Sequence, residues 1–190
     1  MHDVGFRVTG MDWSEPMLER ARAKARDRKA DIRFLIGDAE RTMEPRSSYD
    51  VIVNRHLVWT LVNPAAACAE WFAVLKPGGK LLVIDGNMGR TTWVAGLRAA
   101  LTRIAGRSFD QPHMSPELLR RHEAIRSRVH FRDAMPAAAV VALLEDAGFV
   151  DVVVDRRLWS IHLAQARKMP LLQALERLAQ DRFAISATRP

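Results

Sequence analysis

Cysteine is almost missing from this 190-residue chain. Cys68 is the only one, which excludes an internal disulfide and any cysteine-based metal cluster, and no metal site is expected. It lies in the alanine-rich stretch 65–69 and reads as a small buried filler. Long hydrophobic runs are also lacking. No stretch approaches the roughly 20 apolar residues of a membrane-spanning helix, and no charged-then-apolar leader opens the chain. The expectation is therefore a cytoplasmic protein with no membrane partner. Internal repeats and low-complexity segments are absent as well, which excludes a solenoid or a disordered tail. Acidic residues are outnumbered, 22 against 29 basic ones, so the net charge of +7 raises the question of nucleic acid. No RNA-binding motif accompanies that charge. On a helix, the basic cluster at 20–29 falls opposite Met17, Leu18, Ala21 and Ala25, so a solvated outer face accounts for it. No specific nucleic-acid partner is expected.

What is present is one event repeated four times. Phe34-Leu35-Ile36 stops at Gly37, and Asp38 follows at once. Residues 6–11 run into Asp12, Val51-Ile52-Val53 into Asn54, and Leu81-Leu82-Val83-Ile84 into Asp85. Buried parallel strands deliver polar residues to the carboxyl edge of a sheet in this way, and open α/β folds bind ligands there.

The stretches between these runs suit helices. Ser14 is placed to cap a helix that carries Glu15 and Pro16 in its first turn and ends near Arg28. Strands are expected at 32–36 and 50–54, with a turn-rich segment between them. Pro64 opens a second helix with Ala67, Trp71, Val74 and Leu75 on its apolar side. Lys76-Pro77-Gly78-Gly79 halts it, and a strand follows over 80–85. Strands alternating with helices imply right-handed crossovers and a parallel sheet. Residues 87–135 read as a helical lid or insertion, including a basic helix near 116–128. A helix over 136–147 stops at Gly148, a strand covers 149–155, a helix 163–180 and a last strand 182–188. One domain is expected, with a cofactor-side half at 1–86, the lid at 87–135, and a helix-strand-helix-strand tail at 136–190.

Several pieces carry a family resemblance. Val8-Thr9-Gly10-Met11-Asp12-Trp13-Ser14-Glu15-Pro16-Met17-Leu18 resembles the second strand and following helix of class I S-adenosylmethionine-dependent methyltransferases. Gly37-Asp38-Ala39-Glu40 is similar to their third-strand motif, and Tyr49-Asp50-Val51-Ile52-Val53-Asn54-Arg55-His56 to their fourth strand. Residues 75–85 match the turn and strand after that. Residues 55–61 with Asn63-Pro64 look most like the ubiquinone/menaquinone-methyltransferase group.

The resemblance implies an α/β, Rossmann-like three-layer sandwich, S-adenosylmethionine as cofactor and a small-molecule methyl acceptor. It assigns Asp12 to the ribose hydroxyls, Trp13 to an adenine face, Asp38 and the Ala39 N–H to the adenine edge, and Asn54 to the methionine end. His56, just past the fourth strand, is the candidate base. Taken singly, Asp12 and Asp38 also read as turn or capping carboxylates, Trp13 as core, Asn54 as a strand terminator and His56 as structural. His113 and His122 fall in the expected lid without an assigned role, and Trp93, Phe109 and Phe131 are candidate acceptor-pocket walls or core.

One family element is lacking. Members open with a strand and a Gly-x-Gly loop that lets backbone approach the cofactor closely. Here Gly5 and Gly10 flank the second strand and no such loop precedes it. The expectation is an N-terminally truncated sheet, with the first strand missing between those ending at Asp12 and Asn54. Such an incomplete sheet favours self-association. The alternative is a non-catalytic methyltransferase remnant acting as a binding protein.

Overall fold

The computed structural model describes residues 1–86, 115–158 and 181–190, with scattered positions between them. Among the described residues, ten strands and α-helices carry the fold: β1 (Val8–Asp12), α1 (Glu15–Asp27), β2 (Ile32–Ile36), β3 (Tyr49–Arg55), α2 (Pro64–Val74), β4 (Leu75–Gly86), α3 (Pro116–Arg126), α4 (Ala137–Asp146), β5 (Val150–Asp155) and β6 (Arg182–Thr188). Among the described residues no helix is long and apolar enough to cross a membrane.

The strands form two sheets rather than one. β1 pairs only with β2, in parallel, from Val8↔Ile32 to Asp12↔Ile36. The second sheet runs β3-β4-β6-β5. β3 and β4 are parallel, whereas β6 is antiparallel to both β4 and β5. An all-parallel sheet was the expectation; β6 makes the larger sheet mixed. β1 and β3 therefore each keep one edge without a strand partner among the described residues, as a sheet interrupted between them would.

The two sheets nevertheless run in the same sense. Arg33, near the start of β2, donates to the Tyr49 hydroxyl at the start of β3 at 3.0 Å, and both residues engage Glu44. Past the strand ends, one Glu40 carboxylate oxygen accepts the Val62 and Asn63 N–H groups at 2.7 and 2.9 Å. The Trp71 indole N–H donates to the Ala39 carbonyl at 3.0 Å, and Thr42 binds Glu70. Starts meet starts and ends meet ends, so the polar residues at 12, 38, 54 and 85 share one edge of the molecule.

The core belongs to the larger sheet. Leu81, Val83, Phe183, Ile185 and Ala187 alternate along β4 and β6 and are buried against Trp71, Leu75, Val140, Leu144 and Phe149. Period-2 alternation places these residues on one face of their strands. α2 contributes Ala67, Cys68, Trp71 and Val74, as its 3.6-residue spacing requires. Cys68 is buried, and its thiol is pushed up to about 12 by that burial, consistent with an inert filler.

Several local expectations change. β1 begins at Val8 rather than Phe6 and extends to Asp12. Ser14 occupies the first helix boundary, but its side chain makes no capping bond; its N–H donates to Asp12 Oδ1 instead. β4 begins at Leu75, and its register with β3 jumps from Tyr49↔Leu75 to Val51↔Lys80, so Lys76-Pro77-Gly78-Gly79 forms an irregular stretch inside the strand rather than a separate turn before it. The Gly78 N–H donates to the Arg189 carbonyl, and the Arg189 N–H to the Gly79 carbonyl, which ties that stretch to the chain end. Gly148 at φ 98° follows α4 as expected; an L side chain would be strained there. Phe131 packs against the main core, so of its two readings core holds. Of the expected lid, α3 is described; Trp93, Phe109 and His113 lie outside the described residues, as does most of 163–180.

Candidate active site at the strand ends

The first cluster follows β1 and β2. Asp12 ends β1, and its Oδ1 accepts the Ser14 N–H at 2.9 Å. Asp38 repeats the arrangement: its Oδ1 accepts the Glu40 N–H at 2.9 Å. Both are thus turn carboxylates, as their residue type allows. That role uses one oxygen of each; the other makes no hydrogen bond among the described residues. Gly37 leaves room for the Met11 side chain, since a Cβ there would meet its sulfur at 2.8 Å. Trp13 is 81% exposed, so it is not core. An apolar ring so exposed beside a carboxylate is a surface on which a flat ligand can lie. Ala39 is half-buried, and its carbonyl is held by Trp71.

The second cluster follows β3 and β4. Asn54 is buried at 8% exposure, and neither its amide nitrogen nor its carbonyl oxygen has a hydrogen-bond partner. Buried polar atoms are nearly always satisfied, so a primary amide left unpartnered among the described residues at this strand edge is open to a group that they do not supply. His56 follows with φ 54°, a left-handed conformation unusual for a residue with a side chain. Its N–H still donates to the Ile84 carbonyl, which sets the ring beside the end of β4.

There it meets Asp85, which is fully buried. Asp85 Oδ2 accepts the Val58 N–H at 3.1 Å and Oδ1 the Gly86 N–H at 2.9 Å. His56 Nδ1 lies 3.6 Å from Oδ1, an electrostatic contact too long for a hydrogen bond. Arg182 Nη1 lies 3.5 Å from Nε2 on the other side of the ring. Burial holds the His56 imidazole below its ordinary value, aided by the charges of Arg182 and Arg55 and opposed by Asp85. Burial raises Asp85, against the backbone N–H groups and His56 that favour its ionised form.

The five expected cofactor-side residues therefore divide into Asp12, Trp13, Asp38 and Ala39 on one sheet and Asn54 on the other, with His56 beside Asn54. Asp85 and Arg182 complete the second cluster without having been assigned a role. Asp85 carried a readable signal, the same apolar run closing on an acid; Arg182 opens a strand and carried none.

A methyltransferase-domain family model matches residues 1–83. The chain is 33% identical over 115 residues to the demethylmenaquinone methyltransferase of Renibacterium salmoninarum, a match covering 58% of this chain and 47% of that one. It is 34% identical over 117 residues to a probable S-adenosylmethionine-dependent methyltransferase of Mycolicibacterium smegmatis, covering 62% and 43%. Over its N-terminal part the chain is similar to S-adenosylmethionine-dependent methyltransferases. It spans about half the length of the curated relatives it matches. Among solved structures, phosphoethanolamine N-methyltransferase 2 of Haemonchus contortus, in complex with S-adenosyl-L-methionine, matches with a TM-score of 0.65 at 17% identity, covering 98% of this chain and 44% of that one. A methyltransferase structure from Methanosarcina mazei matches at 0.61 and 19% identity, covering 99% and 84%. These likenesses establish the Rossmann-like methyltransferase fold.

Proposed function

We propose that this chain binds S-adenosylmethionine at the shared strand edge and directs methyl transfer to a small-molecule acceptor. The observation that carries the reading is Asn54, a buried amide with both polar atoms unpartnered at that edge. The unused oxygens of Asp12 and Asp38 and the exposed face of Trp13 fit the same ligand. In this reading Asp12 accepts the ribose hydroxyls, Trp13 covers the adenine, Asp38 and the Ala39 N–H meet its edge, and Asn54 accepts from the methionine end. The cofactor supplies a methyl group already activated on a sulfonium. The protein's remaining work is alignment, exclusion of water and removal of a proton where the acceptor carries one. In this reading His56 takes that last task. Relatives named for demethylmenaquinone and phosphoethanolamine support a small-molecule acceptor. No specific nucleic acid and no membrane are required, and the cytoplasm is the expected compartment. Residues 87–135 would form the lid over the acceptor. The unpaired edges of β1 and β3 would take a further strand, or a second copy of the chain.

Calorimetry tests the reading. S-adenosylmethionine is titrated into the 190-residue chain and into a form carrying a strand and a Gly-x-Gly turn ahead of Phe6. The lengthened form is expected to bind, and more tightly than the chain alone. No binding by either form overturns the proposal.

A further inference from the structure

Four observations converge on one imidazole. His56 is held at φ 54°, which costs conformational energy unless the surroundings determine it. Its Nδ1 is buried and has no hydrogen-bond partner. A fully buried carboxylate, Asp85, lies 3.6 Å from that nitrogen, anchored by two backbone N–H groups, one on each oxygen. Arg182 lies 3.5 Å from the other ring nitrogen.

Donor and acceptor chemistry then orders the ring. A guanidinium has only N–H donors, so Nε2 turns its lone pair toward Arg182. The proton of the neutral ring consequently sits on Nδ1. Among the described residues, Asp85 Oδ1, 3.6 Å from Nδ1, is the negative charge that favours a proton on that nitrogen. Other charges facing the ring are those of Arg182 and Arg55. The ring itself is 28% exposed, and the Arg182 contact to Nε2, at 3.5 Å, lies at the edge of hydrogen-bond range, so an acceptor reaches that lone pair by displacing Arg182.

We propose that Asp85 is a positioning residue that holds His56 in the Nδ1–H tautomer, leaving Nε2 as the base for an acceptor whose attacked atom carries a proton. This rests on the methyltransferase reading. The acceptor's X–H group displaces Arg182 from Nε2, and its proton passes to Nε2 as the bond from X to the methyl carbon forms; the carbon–sulfur bond of the sulfonium donor breaks, and its electron pair stays on sulfur. The resulting imidazolium faces Asp85, whose charge favours it, and Arg182 is placed to pair with electron density left on X. The substrate class is thus a hydroxyl, amine or acidic carbon compound that arrives protonated, rather than a preformed anion.

The test needs no turnover. The 190-residue chain is labelled with 15N-histidine and the His56 ring is assigned with His56→Gln. Its nitrogen shifts are followed against pH in the wild type, Asp85→Asn and Arg182→Gln. The wild type is expected to show the Nδ1–H tautomer. Asp85→Asn should shift the imidazole titration downward and mix the tautomers; Arg182→Gln, at a partly exposed site, should shift it upward with the fold intact by circular dichroism. An Nε2–H tautomer in the wild type overturns the proposal, as does a titration that neither variant moves. S-adenosylmethionine binding by the lengthened form separates the two readings. Cofactor binding with the wrong tautomer removes Asp85's role alone. The expected tautomer without cofactor binding in either form removes the methyltransferase reading and, with it, the role of Nε2 as base.

Discussion

The two sheets are built to different standards. In the β3-β4-β6-β5 sheet, Leu81, Val83, Phe183, Ile185 and Ala187 are all at 1% exposure or less. In the β1-β2 sheet no strand residue is fully buried, and Ile36 is 63% exposed. Parallel strands normally have both faces and both edges covered, and a two-stranded parallel pair is marginal by itself. The half that carries Asp12, Trp13 and Asp38 thus depends on what covers it. The half that carries Asn54, His56 and Asp85 has a core of its own. In the proposed reading, ligand recognition is divided across that unequal pair.

The largest expected effect lies on the strong side. Phe183→Ala should destabilise the chain by about 3–5 kcal/mol, read from urea unfolding, because a fully buried ring leaves a cavity that β4 and α4 fill only partly. A loss below about 1 kcal/mol would mean the core is placed elsewhere. On the weak side, Asp12→Ala in the lengthened form should reduce S-adenosylmethionine affinity by about 1.5–3 kcal/mol, one charge-assisted contact. Unchanged affinity would leave Asp12 a turn residue only.

Proton linkage probes the strong side again. The folded His56 titrates below its ordinary value, so the unfolded chain binds the extra proton first. Its contribution to stability is present above pH 6.5, the ordinary imidazole value, and is lost as pH falls from there toward the folded value. His56→Gln should flatten that slope in the pH dependence of the unfolding free energy. Asp85 has the opposite sign, since its raised value makes stability fall as pH rises out of the ordinary carboxylate range. An unaltered slope in His56→Gln would assign the pH dependence to other groups.

Ile36→Ser should change stability by no more than about 0.5 kcal/mol, because its side chain is already mostly in solvent. A clear loss would show that β2 is covered in solution. Native-state hydrogen exchange puts the same comparison on one scale: amides of β1 and β2 should exchange faster than those of β4 and β6. Equal protection would mean that the two sheets open as a single unit.

Much of this was legible along the chain, for local reasons. Runs of apolar residues ending in Asp12, Asp38, Asn54 and Asp85 reported strand ends, because a strand's burial stops where its sheet edge begins. Helix starts at Glu15 and Pro64 and the stop at Gly148 were equally local, set by backbone chemistry at single positions. β6 was located to the residue, yet its direction was not readable. Strand direction depends on how the chain returns, and side-chain alternation looks the same either way. Ser14 illustrates a smaller limit. Residue preference named it a cap, but Asp12 two positions earlier took its N–H and left its hydroxyl out of the helix end.

By itself the sequence determined which residues end the strands, which faces are apolar, and that the chain carries a methyltransferase's succession of motifs, because these depend on neighbours within a few positions. Only the tertiary structure decided that β6 runs antiparallel to its neighbours, that Asn54 is buried without a partner among the described residues, and that Asp85 and Arg182 take opposite sides of His56. Residues 56, 85 and 182 meet through strand pairing across more than a hundred positions, and no local pattern records a contact made at that distance.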